Sequence, residues 1–207
     1  MKEIYKPESD FNSKERNAYE GTTITDRSLA SYKEFLGLPI EDLRGKLVLD
    51  IGSGYSGRFA REAAKEGINV IAFNPELKSG LAIQGLNKKV LPGILDKVKV
   101  EKINAVAGIA QEMPFKDNSF DAEVALFSVP HCMPKYKSEY KLMFDEILRT
   151  LKPGGQAFIF PMNEPGNNFF NKKLSSDFLQ ELSSKAIIDT KSVEEYLGLD
   201  RLILTKK

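Results

Sequence analysis

One cysteine, Cys132, and one histidine, His131, stand among 207 residues. A lone cysteine closes no internal disulfide, so a reducing compartment and a cytoplasmic location are expected. The same scarcity leaves Cys132 without partners for a metal site, and none is expected. Excess charge is missing too: 30 Lys plus Arg oppose 29 Asp plus Glu, a net charge of +1. Such a balance offers no field for phosphate backbones or anionic lipid, and no nucleic-acid partner is expected. No apolar run approaches the roughly 18 residues that cross a bilayer, and Met1 to Asp10 has no apolar signal core. Membrane insertion and export are therefore not expected. The remaining composition, 42% hydrophobic and 29% charged, is that of a globular protein. This length suits one well-buried core, so 1–207 is read as a single domain.

Residues 1–24 are polar without clear periodicity and read as a loose arm. Leu29, Tyr32, Phe35 and Leu36 then recur on one helical face, closed by Gly37 and Pro39, so that 1–40 comprise an arm and a cap helix. Lys46 to Ile51 is a buried strand running into Gly52-Ser-Gly-Tyr-Ser-Gly57, followed by a helical stripe of Phe59, Ala60, Ala63 and Ala64. Further strands are read at Asn69 to Phe73, Ala105 to Gly108, Phe120 to Phe127 and Gln156 to Phe160. A helix carrying Leu142, Phe144, Ile147, Leu148 and Leu151 stops at Lys152-Pro-Gly-Gly155. After Phe160 come a helix near Ser176 to Ser184 and strands near Ala186 to Asp189 and Arg201 to Thr205. Strands alternating with helices predict an α/β fold with a parallel sheet. Residues 45–160 form its core and 161–207 its carboxyl-terminal helix and strands, while the lysine-rich connection 76–102 carries no readable function.

The glycine loop spells Gly-x-Gly-x-x-Gly, whose bare backbone lets a ligand approach the start of a helix. Asp50, two residues before the first glycine, suits a ligand bearing an ammonium group better than one bearing a pyrophosphate. A nicotinamide dinucleotide with Asn74 at its ribose is the competing reading of the loop alone.

Val48-Leu-Asp-Ile-Gly-Ser-Gly54 resembles the first motif of class I S-adenosylmethionine-dependent methyltransferases. Glu112-Met-Pro-Phe-Lys-Asp-Asn-Ser-Phe-Asp121 resembles the segment before that family's fourth strand, and Glu146-Ile-Leu-Arg-Thr-Leu-Lys-Pro-Gly-Gly155 the helix end before its fifth. The third block argues against a nicotinamide site. The resemblance covers about residues 45–160 and is closest to quinone-, sterol- and glycine-type small-molecule enzymes. It implies a Rossmann-like, doubly wound, mostly parallel seven-stranded sheet with helices on both faces and an amino-terminal helical cap. It also implies S-adenosylmethionine as cofactor and a small-molecule methyl acceptor. Carried over by position, Asp50, Gly52, Ser53 and Gly54 hold the methionine end. Asn74, Pro75 and Glu76 stand at the ribose, Ile109, Ala110 and Gln111 flank the adenine, and Ala125 and Leu126 line the methionine side. His131 follows the fourth strand, where the family often carries a histidine, and is the candidate general base; a structural or solvent-facing histidine is the other reading of it.

Three positions depart from the family pattern. Asn74 stands where an acid takes the ribose hydroxyls, Ile109 where an acid receives the adenine amino group, and Ser56 where glycine is common. These keep open a degenerate fold used for binding or scaffolding. Because few residues follow the fifth strand, the acceptor pocket is expected to depend on residues 1–40, acting as a lid. Deleting residues 1–20 should then abolish acceptor turnover while leaving cofactor affinity nearly intact, as read by parallel turnover and calorimetric assays.

Overall fold

A computed structural model describes residues 27–54, 57–74, 104–130, 137–162, 176–193 and 199–207. Pairing begins with β1 (Leu47–Ile51), which lies between β2 (Asn69–Phe73) and β4 (Phe120–Leu126) and runs parallel to both. Beyond β2 lies the short β3 (Asn104–Val106), and beyond β4 lies β5 (Leu151–Phe160), both again parallel. The sheet is completed by β7 (Leu199–Lys206), which is antiparallel to β5, and by β6 (Ala186–Val193) on its outer side. The order is β3-β2-β1-β4-β5-β7-β6. One reversed strand in an otherwise parallel sheet matches the mostly parallel expectation.

Parallel strands have both faces covered, so they read as continuous apolar runs rather than as alternations. The register sorts those runs between two layers. Val48, Ala122, Val124 and Phe158 point to one face, where they meet Tyr32, Phe35 and Leu36 of α1 (Leu29–Leu36) and Phe59, Ala60 and Ala63 of α3 (Arg58–Lys65). Leu49, Ala125 and Ile159 point to the other, under α4 (Lys137–Thr150) and α5 (Ser176–Lys185). A one-turn helix, α2 (Ile40–Leu43), joins α1 to β1.

The cap helix α1 is built as its sequence predicts. Ser28 Oγ accepts from the Ser31 amide at 3.2 Å, and Gly37, in the left-handed region at φ 62°, ends it. Its first amide, at Leu29, donates to Glu62 of α3 at 2.7 Å, which ties the cap to the core.

The two other motif blocks of the resemblance find structural work. Arg149, near the end of α4, donates to the carbonyls of Phe115 at 2.7 Å and Met113 at 3.0 Å and pairs with Asp117 at 2.8 Å. Glu146 accepts from the Met113 amide at 2.6 Å and from Arg149. Arg149 hydrogen bonding, with burial opposing it, holds the Glu146 carboxyl below the usual range. Helix α4 and the chain leading into β4 are thus stapled together. Asp121 does the same at the start of the sheet, accepting from the Leu47 amide at 2.9 Å and from Lys152 Nζ at 2.8 Å.

One boundary differs from the sequence reading. Lys152-Pro-Gly-Gly155 does stop the helix, which ends at Thr150, but it is already part of β5. Phe120 pairs with Leu151 and Ala122 with Gln156, so the four residues between are a bulge in the opening of that strand. Proline and glycine therefore mark a distorted strand here as well as a helix end.

Glu123 in β4 is a buried acid with 1% exposure. Thr150 Oγ1 donates to its Oε1 at 2.6 Å, and its Oε2 has no partner among the described residues. Burial, only partly opposed by Thr150, pushes its carboxyl up from 4.5 to about 8. A carboxyl that keeps its proton in the fold stabilises the native state at low pH, and that contribution is lost as pH rises from about 4.5 to about 8. Between about pH 5 and pH 8.5, urea denaturation should show Glu123→Gln losing less stability than the unsubstituted chain, by ~4 kcal/mol. Arg149→Leu should cost about 2 to 3 kcal/mol at pH 7 in the same measurement, because it leaves two carbonyls and Glu146 without their donor.

Candidate cofactor site at the carboxyl edge of the sheet

In an open parallel sheet, ligands bind beyond the carboxyl ends of the strands, where strand order reverses. Here the reversal lies between β1 and β4, so the site is bounded by the residues that leave those two strands. Asp50 and Ile51 close β1. Gly52 turns the chain at φ 76°, and its amide donates to the Phe73 carbonyl at 2.7 Å. A side chain at Gly52 would fall on Ser128 Cβ, which arrives from the end of β4. Ser128 Oγ in turn donates to the Ile51 carbonyl at 2.6 Å. The glycine is thus required both by its backbone angle and by the close approach of the neighbouring loop. Gly57 then leads into α3, whose first turn carries no acidic residue and whose amino end opens toward the loop.

Asp50 has no exposed surface. It lies on the α1/α3 face, in register with Ala72 and Val124, and Tyr32 Oη donates to its Oδ1 at 2.8 Å. The Tyr32 ring stacks on Phe59 of α3 at 3.9 Å with the planes 7° apart. Among the described residues, Oδ2 of Asp50 is buried without a hydrogen-bond partner. Burial, opposed by the Tyr32 hydrogen bond, pushes this carboxyl up to about 7. An orphaned acceptor of this kind is costly unless something bound supplies a donor.

Of the other residues singled out in the sequence, Ser53 and Gly54 are buried in the loop, with the Ser53 amide 3.3 Å from the Phe73 carbonyl. Asn74 is half-buried just past β2, and its backbone is stitched to the neighbouring strand's exit: its amide donates to Val106 at 3.3 Å, and its carbonyl accepts from Gly108 at 3.4 Å. Ile109, the position where the resemblance expects an acid, is 47% exposed at this edge. Ala110 is buried, and Gln111 donates its amide to Glu139 of α4 at 2.9 Å. The structure therefore brings Asp50, Gly52, Ser53, Gly54, Asn74 and Ile109 to one edge, with Ile109 open to it. Ala125 and Leu126 also end their strand there, but their side chains are buried in opposite layers, so only their backbone faces the crevice. Pro75, Glu76, Ser56, His131 and Cys132 lie outside the described residues.

Three residues at this edge escaped the sequence reading as parts of a cofactor site. Tyr32 read as core because it falls on the apolar stripe of α1. Ser128 carries no local signal, since its partner is 77 positions away. Phe127, at φ 49°, presents a half-buried ring just past β4, packed edge-on against Phe35 and Phe160, with the Arg27 guanidinium 4.1 Å above it. A residue held in the left-handed region beside a crevice is the sole local hint, and it is a property of the backbone.

A family model for a methyltransferase domain matches residues 49–159. A sterol 24-C-methyltransferase of Gibberella zeae is 38% identical over 132 residues, which are 63% of this chain and 31% of that protein. A ubiquinone/menaquinone biosynthesis C-methyltransferase of Idiomarina loihiensis is 30% identical over 132 residues, 62% of this chain and 47% of its own. The chain thus spans about half or less of the length of these curated relatives. Among solved structures, the PH0226 protein of Pyrococcus horikoshii superposes with a TM-score of 0.58 over 95% of this chain and 100% of that one. At 16% identity, this likeness speaks for the fold. The matched span, 49–159, exceeds half of the 207 residues and runs from within β1 to the penultimate residue of β5, and the chain belongs to the class I S-adenosylmethionine-dependent methyltransferase family.

Proposed function

We propose that this chain transfers a methyl group from S-adenosylmethionine to a small-molecule acceptor. The observation that carries the reading is the Asp50 carboxylate, buried at the carboxyl end of β1 with Oδ2 lacking a partner, beside a glycine turn with no room for a side chain. A cationic ammonium satisfies such an acceptor, and the amino-acid end of the cofactor offers one. The residues present fit that group. Asp50 and the Gly52 to Gly54 backbone would hold its methionine end. Asn74, with Pro75 and Glu76, would stand at its ribose, and Ile109 would lie against its adenine. When bound, the cofactor supplies a methyl group on a positively charged sulfur, already activated for displacement by a lone pair.

What remains for the protein is positioning and exclusion of water. The backbone at Ala125 and Leu126 forms the wall between cofactor and acceptor, and Phe127 with Arg27 above it forms the next surface along the edge. Tyr32 and Phe59 close the site on the α1 side. An acceptor hydroxyl or amine must also give up a proton, and His131, following β4 in the chain, is our candidate to take it.

The curated relatives support a small acceptor: their names refer to sterols, to ubiquinone or menaquinone, and to a fatty acid. The reading extends to one domain, 1–207, working in the cytoplasm. It is supported by the single cysteine and by the fact that no described helix is long and apolar enough to cross a membrane.

Calorimetric titration with S-adenosylmethionine and S-adenosylhomocysteine tests the reading. Binding of both is expected, and Asp50→Asn should weaken it about tenfold to a hundredfold, the worth of one buried charge-assisted contact. No heat at millimolar ligand would overturn the proposal and leave a binding or scaffolding fold.

A further inference from the structure

The two oxygens of Asp50 have different fates. Oδ2 waits for a donor, whereas Oδ1 is already held by the Tyr32 hydroxyl at 2.8 Å. That hydroxyl belongs to the cap helix, which also meets the sheet where Arg201 of β7 donates to the Phe35 carbonyl at 3.5 Å. Its position depends on the stack of Tyr32 on Phe59, on the Ser28 cap, and on the bond from the Leu29 amide to Glu62.

The surroundings of Asp50 otherwise do little to favour a charge. Among the described residues Tyr32 is its hydrogen-bond partner on the α1 side. On α3, Phe59 stacks on the Tyr32 ring, and the charges Arg58 and Glu62 pair with each other at 2.7 Å. Its neighbours in the sheet are Ala72 and Val124, and Ser128 from the β4 exit donates to the Ile51 carbonyl instead. Helices α4 and α5 lie on the opposite face. Burial drives this carboxyl toward its neutral form, and among the described residues Tyr32 supplies the opposing contact.

We propose that Tyr32 is a positioning residue that holds Asp50 as an aimed carboxylate for the cofactor's ammonium, so that seating of the cap helix and cofactor binding reinforce each other. This rests on the cofactor reading above. The coupling is reciprocal by linkage: a ligand that requires the carboxylate also favours the state in which α1 is docked. The arrangement gives the cap helix a duty beyond the lid role expected of residues 1–40.

The sign of the effect follows from the chemistry. The ammonium binds the ionised acid, so affinity rises with pH as Asp50 loses its proton, until the ligand's own amine begins to lose its proton, a loss common to every variant. Removing the hydroxyl destabilises the carboxylate and moves that rise to higher pH. Tyr32→Phe keeps the ring on Phe59, and so isolates the hydroxyl from the packing.

Titration of the full chain with S-adenosylhomocysteine from about pH 6 to pH 9 reads this directly. The unsubstituted chain should gain affinity through about pH 7. Tyr32→Phe should bind about tenfold more weakly near pH 7, with the loss closing toward pH 9, and Asp50→Asn should be weak at every pH. A uniform loss in Tyr32→Phe, or an unshifted profile, would overturn the role proposed for Tyr32 while leaving the cofactor reading standing. Asp50→Asn binding as tightly as the unsubstituted chain would overturn both. Hydrogen exchange supplies a readout that needs no variant: the amides of Leu29 to Leu36 should become several-fold more protected when S-adenosylhomocysteine is added, and unchanged protection would overturn the coupling.

Discussion

A carboxylate with no exposed surface stands at the carboxyl end of the innermost strands, and much of the surrounding structure makes it tolerable. Asp50 is placed there because β1 runs parallel between β2 and β4, so three strands deliver their ends to one edge. It is buried because both faces of that sheet are covered, by α1 and α3 on one side and α4 and α5 on the other. An isolated buried charge is expensive. The glycine turn brings the neighbouring loop close, the cap helix brings a hydroxyl, and a bound cation would complete the arrangement.

The family's other two motif blocks serve that same geometry at a distance. Arg149 and Glu146 bind the backbone of the segment entering β4, and Asp121 binds both the start of β1 and Lys152 of β5. These contacts set where β4 begins relative to β1 and β5. They therefore set where its end, with Phe127 and Ser128, arrives against the glycine loop. Residues at one end of the strands govern spacing at the other because a packed parallel sheet leaves little freedom to slide.

The fold was legible in the sequence wherever the signal was local. Apolar runs bounded by glycine and proline located β1, β2, β4 and β5, and Leu29, Tyr32, Phe35 and Leu36 located the cap helix and its buried side. The bulge at Lys152 to Gly155 was not legible, because proline and glycine punctuate a helix end and a distorted strand alike. Glu123 could not be read as buried either: a strand covered on both faces has no alternation to betray an inward acid. In the candidate site, Asp50 and the glycines are contiguous and visible, whereas Tyr32 and Ser128 reach it only through tertiary packing. A phenol on an apolar stripe looks like core until its partner is known.

The outermost strand, β6, bears on the behaviour of the chain among its copies. From Asp189 to Ser192 it is exposed, with Lys191 3.6 Å from Asp189 and the apolar Ile187 60% exposed beside them. An open strand edge invites another strand to extend the sheet, and charges along it make that pairing unfavourable. Asp189 and Lys191 thus act as a border: they let the sheet stop at seven strands with Ile187 in the open, where an uncharged edge would recruit a neighbour.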